Sequence, residues 1–288
     1  RAESWVRSPA AALEIYEQYR RRLRELGAVP GPAARAAHEA VLAAESPVRH
    51  GLQPEPEHFL GREADVTGVL KALSTHRLVT LTGPGGVGKT TLAQVVAARS
   101  RRPAVYVVAL AEVSPGADLA RVVLDAIGGS AVVNGDPHRD LAAALSQPGT
   151  ILVLDNCEHL AGEAADLIGP LLVACPDLRV LATSRRPVDL AAEHVHRLEA
   201  LDAASSAELF RARALAARPG QVIDDDDLGE LLSRLEGIPL AIELAAARTR
   251  SLSVGQIAER LPGRPDLLTA ARDRKSTRLN SSHITRSR

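Results

Sequence analysis

Residues 83–90 read Gly-Pro-Gly-Gly-Val-Gly-Lys-Thr, a string that restricts the fold around it more than anything else in the chain. It requires a strand before it and a helix after it, because the backbone has to turn sharply and aim successive N–H groups at one point. Both flanks are present: Leu78 to Thr82 is a short apolar run of strand character, and Thr90 to Ala98 has helical periodicity. Gly83, Gly85, Gly86 and Gly88 permit the turn, and the positive end of the following helix adds to the field on a bound phosphate. Lys89 supplies a point charge to the β- and γ-phosphates, the Thr90 hydroxyl completes the coordination of Mg²⁺, and Thr91 is placed to touch the α-phosphate.

Downstream, strands and helices alternate. Ala104 to Leu110, Ile151 to Asp155 and Arg179 to Thr183 read as strands; Ala117 to Ile127, His138 to Leu145 and Gly162 to Val173 read as helices. Short strands separated by helices imply a parallel sheet covered on both faces. After about His196 the strands stop, and Ala203 to Ala216, Asp227 to Leu235, Leu240 to Arg248 and Val254 to Leu261 are all of helical type. The acidic run Asp224 to Asp227 fits the positive end of a helix dipole better than a metal site. The expected fold class is therefore α/β, a P-loop NTPase with a parallel sheet, followed by a small helical domain.

Ile151-Leu152-Val153-Leu154-Asp155 is an apolar strand ending in a carboxylate. At the carboxyl edge of such a sheet Asp155 stands beside the phosphate loop and can hold Mg²⁺ through water; the alternative is an Asp capping the following turn. The next residue is Asn156, which cannot accept a proton, and Glu158 lies two positions further on, so slow hydrolysis is expected. Lys89, Asp155 and Arg185 are the candidate catalytic residues, with at most weak ATPase activity. Arg185 leaves the same sheet edge and can reach a γ-phosphate, although Arg186 beside it competes for that assignment. Cys157 reads as a small buried hydrophobe and His159 as structural, since neither has a partner at a recognisable spacing.

Ahead of the loop, Ala12, Tyr16, Tyr19, Leu23 and Leu26 fall on one face of a helix, and Gly27 to Pro32 breaks it before a second helix through Ala37, Val41 and Leu42. This α-helical hairpin is expected to be the last unit of a helical, TPR-like repeat. Pro47, Pro54 and Pro56 make residues 46–58 a semi-extended linker. The resulting division is a helical end over residues 1–45, the linker 46–58, a nucleotide-binding domain 59–200, a helical subdomain 201–272 and a tail 273–288.

Composition excludes several function classes. The 35 basic and 35 acidic residues cancel, leaving no overall field for DNA or an anionic membrane. Two cysteines cannot make a disulfide framework, and no run approaches a membrane span, so a cytoplasmic location is expected. The chain has no methionine and starts at Arg1, which reads as an internal piece of a longer protein.

The order of Phe59-Leu60-Gly61-Arg62-Glu63, GPGGVGKT, Leu152 to His159 (LVLDNCEH), Ala182 to Arg185 (ATSR) and Gly237 to Ala241 (GIPLA) resembles the STAND-class nucleotide switches of the NB-ARC type. The resemblance implies ATP or ADP as ligand, Arg62 on the adenine side, Arg185 as sensor of the γ-phosphate, and Pro239 packed on the adenine from the helical domain. Residues 11–45 resemble the end of the bacterial transcriptional activator domain, and the combined layout is similar to SARP/AfsR-type transcriptional regulators. That implies a signalling switch with nucleotide-dependent self-association, and DNA contact through an upstream domain rather than through this chain. A phosphoryl-transfer enzyme, ATPase or kinase, and a nucleotide-stabilised interaction module are the alternatives. The family continues into a winged helix, whereas residues 273–288 resemble the translation of a sequencing adapter and are expected to be non-biological.

Overall fold

The computed structural model describes residues 9–25, 30–31, 34, 48–129 and 135–261. The second helix of the expected hairpin, the residues beyond Leu261 and the tail 273–288 lie outside them. The first helix, α1, spans Pro9–Glu25 and brings Tyr16 and Tyr19 within 6.5 Å of each other.

The core is a sheet of six parallel strands: β1 (Val48–His50), β2 (Leu78–Thr82), β3 (Ala104–Ala109), β4 (Thr150–Asp155), β5 (Arg179–Ser184) and β6 (Glu193–Arg197), in the order β1-β3-β4-β5-β2-β6. Alternate side chains of each strand enter opposite layers. On β4, Ile151 and Val153 join Val79, Leu81, Val105 and Leu181 under α2 (Glu63–Thr75) and α3 (Lys89–Arg99). Leu152 and Leu154 face the other way, into Leu78, Val108, Val180 and the apolar stripes of α4 (Leu119–Ala126), α5 (Pro137–Leu145) and α6 (Ala161–Ala174). Both faces are thus covered, which is why these strands read as continuous apolar runs.

The helical subdomain has its own core. Phe210 on α7 (Ala203–Ala217) is fully buried against Leu228, Leu231 and Leu235 of α8 (Asp225–Leu235), Ile242 and Ala245 of α9 (Pro239–Ala247), and Ile257 of α10 (Val254–Arg260). Asp224 caps α8, accepting from the amides of Asp226 and Asp227, and three more carboxylates occupy the first turn, where the dipole favours them. Among the described residues no group of three or more His, Cys, Asp or Glu side chains could hold a metal, and no helix is long and apolar enough to cross a membrane.

Three elements differ from the sequence expectation. The segment expected as a linker contributes β1, which extends the sheet edge along β3; Val48 N donates to Pro103 O at 2.8 Å. The rest of that segment is docked on α3, with Gln53 N donating to Gln94 at 3.1 Å and Arg99 joining Glu55 at 2.5 Å and Glu63 at 2.7 Å. Helix α2 went unread although Val66, Val69 and Leu73 carry its buried stripe. Strand β6 (Glu-His-Val-His-Arg) has a single apolar residue, Val195, and lies at the sheet edge beside β2, where polar side chains are tolerated.

Candidate functional site

The turn between β2 and α3 is closed by its own residues. Gly88, with φ 101°, precedes the first helical residue, and Gly86 takes φ 79°, a region that disfavours any side chain. Space forbids one at Gly86 as well, since a Cβ there would lie 2.9 Å from Leu240 Cβ. Lys89 is buried at the start of α3, and its ammonium donates to Gly83 O at 2.8 Å and Pro84 O at 3.0 Å. Burial lowers its pKa; the Glu158 carboxylate opposes that shift, Arg185 adds to it, and Asp155 opposes it more weakly.

Parallel pairing places the ends of β4 and β5 next to this turn. The Thr90 hydroxyl lies 2.8 and 3.0 Å from the two Asp155 oxygens, and the Thr183 hydroxyl donates to Asp155 Oδ1 at 2.6 Å. Asn156 turns the chain away in a left-handed conformation, φ 69° and ψ 53°, with its N–H donating to Thr183 at 2.8 Å. Asp155 is therefore oriented by two hydroxyls rather than capping the next turn. Thr183 was missed as a site residue, although it directly follows Ala182, the register partner of Leu154.

Arg185 and Arg186 are also separated. Arg185 lines the cavity above the loop and pairs through Nε with Glu158 Oε1 at 3.0 Å; Arg186 is exposed and is not among the cavity's lining residues. Cys157 is fully buried and its Sγ donates to Leu154 O at 3.4 Å; desolvation pushes its thiol up to about 12, which rules out a thiolate nucleophile. His159 Nε2 lies 2.9 Å from Val113 O, a structural contact.

The cavity has a volume of about 390 Å³. Its floor is the loop from Gly85 to Thr91, its rear wall Asn156, Glu158, Thr183 and Arg185, and its remaining walls come from both sides of the chain. Pro56, His58, Phe59, Leu60 and Arg62 form one, while Leu209, Arg213, Pro239, Leu240 and Glu243 of the helical subdomain form the other. Arg62 is buried and spans loop and wall: Nη2 donates to Val87 O at 3.1 Å and Nη1 to Asp65 at 3.2 Å, and Asp65 in turn meets His196 at 3.1 Å. Pro239 opens α9, and the next amide, Leu240 N, donates to Gly86 O at 3.2 Å, so the helical subdomain touches the loop directly. Arg213 and Glu243 pair at 2.9 Å across α7 and α9. Pro56 and His58, read as linker, are part of the site.

Comparison with known proteins agrees with this architecture. Residues 71–190 match the AAA domain family model. The chain is 41% identical over 194 residues to a putative HTH-type transcriptional regulator of Mycobacterium tuberculosis, covering 66% of this chain and 22% of that one. It is 31% identical over 288 residues to the regulatory protein AfsR of Streptomyces griseus, covering 88% of this chain and 29% of the other. The chain thus spans about a fifth of the length of the curated regulators it matches first. Among solved structures, a Walker-type ATPase of Pyrococcus abyssi shares the fold with a TM-score of 0.54 at 15% identity, covering 84% of this chain and 80% of that one. The chain therefore carries a P-loop NTPase domain of the AAA type within a sequence that resembles bacterial transcriptional regulators.

Proposed function

We propose that the chain is the adenine-nucleotide switch module of a transcriptional regulator. ADP bound in the cavity holds the sheet domain and the helical subdomain together, and exchange for ATP changes their relation and so the output. The observation that carries this reading is the shared cavity: its floor is the phosphate loop and one wall belongs to the helical subdomain, joined by the Leu240 to Gly86 hydrogen bond. A ligand filling it contacts both parts, and any difference in its contacts between two arrangements shifts the population between them. Lys89 and the loop would bind the phosphates, Pro239 with Phe59 and Leu60 would enclose the base, and Arg62 would keep the loop in register with that wall.

The donor set suits Mg²⁺. Thr90 and Asp155 present hard oxygen atoms side by side, with the phosphates and water left to complete the shell. The ion would neutralise phosphate charge; Thr183 holds the Asp155 carboxylate in the orientation that serves this. The Asn156 side chain is a carboxamide, which offers no base, so we assign slow hydrolysis at most. The five-segment division and the SARP/AfsR-type layout belong to the same proposal, as do self-association on exchange and a cytoplasmic location. DNA contact is assigned to no residue of this chain.

The test is Lys89→Ala, read by calorimetry with ADP and ATP and by a reporter for the regulator's output. The proposal expects a folded variant that loses nucleotide and loses output together. Output that survives the loss of nucleotide would instead favour a nucleotide-stabilised interaction module.

A further inference from the structure

Arg185 faces the loop from the cavity side and is engaged by a carboxylate the proposed function has not used. The Arg185 guanidinium lies against the loop: a Cβ on Gly85 would sit 3.6 Å from its Nη2. Its Nε meets Glu158 Oε1 at 3.0 Å, and of the two side chains Glu158 is the more enclosed, 23% exposed against 64%. Glu158 therefore holds Arg185 from within the cavity that both residues line. The left-handed turn at Asn156 and the single 3₁₀ turn Cys157–His159 bring it there from the end of β4.

An anionic oxygen held on an arginine that lies against the phosphate loop reproduces what the terminal phosphate of a bound triphosphate would present. We infer that Glu158 is the residue that sets the choice between triphosphate and diphosphate: its carboxylate occupies Arg185 in the place of a terminal phosphate, so a nucleoside triphosphate has to displace it and a diphosphate does not. This rests on the nucleotide reading of the cavity. The cost falls on ATP alone, since the contact to Arg185 is the one that only a third phosphate competes for. The site is biased toward ADP by a residue that touches neither the base nor the first two phosphates. Binding ATP also frees Glu158, so the rear wall differs between the two nucleotide states.

The test compares MgATP and MgADP binding to the full chain by calorimetry in the wild type, Glu158→Gln, Arg185→Gln and the double variant. Glu158→Gln is expected to raise the ratio of ATP to ADP affinity by about fivefold, the scale of a partly exposed ion pair. In the Arg185→Gln background the same substitution should leave the ratio where it was. If Glu158→Gln does not fold, Glu158→Asp, which draws the charge back by one methylene, replaces it and should move the ratio in the same direction by less. An unchanged ratio, or a change that is equal with and without Arg185, overturns the inference while leaving nucleotide binding intact. A wild-type chain that binds neither nucleotide overturns the nucleotide reading and this inference with it.

Discussion

Gly86→Ala tests whether the helical subdomain rests on the phosphate loop. Two costs are legible at this position. The backbone sits at φ 79°, which costs an L-residue about 1 kcal/mol or somewhat more. The new methyl would also lie 2.9 Å from Leu240 Cβ and 3.4 Å from Ile238 Cγ2, and because both neighbours are bound into the start of α9 they cannot swing away. Overpacking of this kind adds about 1 to 3 kcal/mol. Gly88→Ala is the internal control: its φ of 101° is also in the left-handed half of the map, but a Cβ there meets nothing within 4 Å. Thermal unfolding of the two variants, each scaled at about 2 to 4 °C per kcal/mol for a chain of this size, separates strain from contact. Gly86→Ala should melt several degrees below Gly88→Ala, and the helical subdomain should become more open to proteolysis. Equal melting temperatures would refute the contact between α9 and the loop as a structural support.

Other substitutions probe the remaining parts. Phe210→Ala empties the centre of the helical core and should cost about 3 to 5 kcal/mol in chemical denaturation. Asp224→Ala removes an N-cap that serves two amides of α8 and should cost about 1 kcal/mol, whereas Asp224→Asn should keep most of it. Cys157, with its thiol pushed up to about 12 and no exposed surface, should resist a disulfide reagent at pH 8 in the native chain and react once the chain is unfolded. His194 stacks on His76 at 4.4 Å, and burial together with His76 and His196 holds its pKa below the ordinary 6.5. As pH falls through about 6.5 the unfolded chain takes up that proton before the folded one, so stability should decline on acidification, and His194→Gln should flatten the melting temperature between pH 7.5 and 5.5.

The parts that could be read ahead of the structure share one physical property. Each puts its whole signal in a short, contiguous stretch. The loop GPGGVGKT, the apolar run of β4 ending at Asp155 and the acidic start of α8 are of this kind, and the structure has strand, turn and helix where the residues put them. Apart from α2, whose stripe of Val66, Val69 and Leu73 is local, what could not be read depends on pairing between distant stretches. Val48–His50 becomes a strand only because β3 offers an open edge, and two of its three side chains are exposed, so no apolar pattern marks it. β6 is of the same kind, held by β2 with His and charged residues on an edge. Arg185 could be placed at the right edge of the sheet, but its separation from Arg186 required the geometry of Glu158. Thr183 carries no motif of its own and matters only because the β4 and β5 registers bring it to Asp155.

The hydrogen bonds around the loop explain why this site suits an anion. Lys89 donates to Gly83 O and Pro84 O, Leu240 N to Gly86 O, and Arg62 to Val87 O. Each of these bonds consumes a loop carbonyl, and the donors come from the loop's own helix, from the helical subdomain and from the residue before α2. The protein thereby satisfies these loop acceptors with its own donors, and the loop leads into the N-terminal end of α3, whose dipole favours an anion. Three elements distant in the chain thus shape one anion site, and a ligand that draws Lys89 off Gly83 and Pro84 alters the same loop on which α9 rests. Under the proposed function, that shared loop is the physical route by which occupancy of the cavity reaches the helical subdomain.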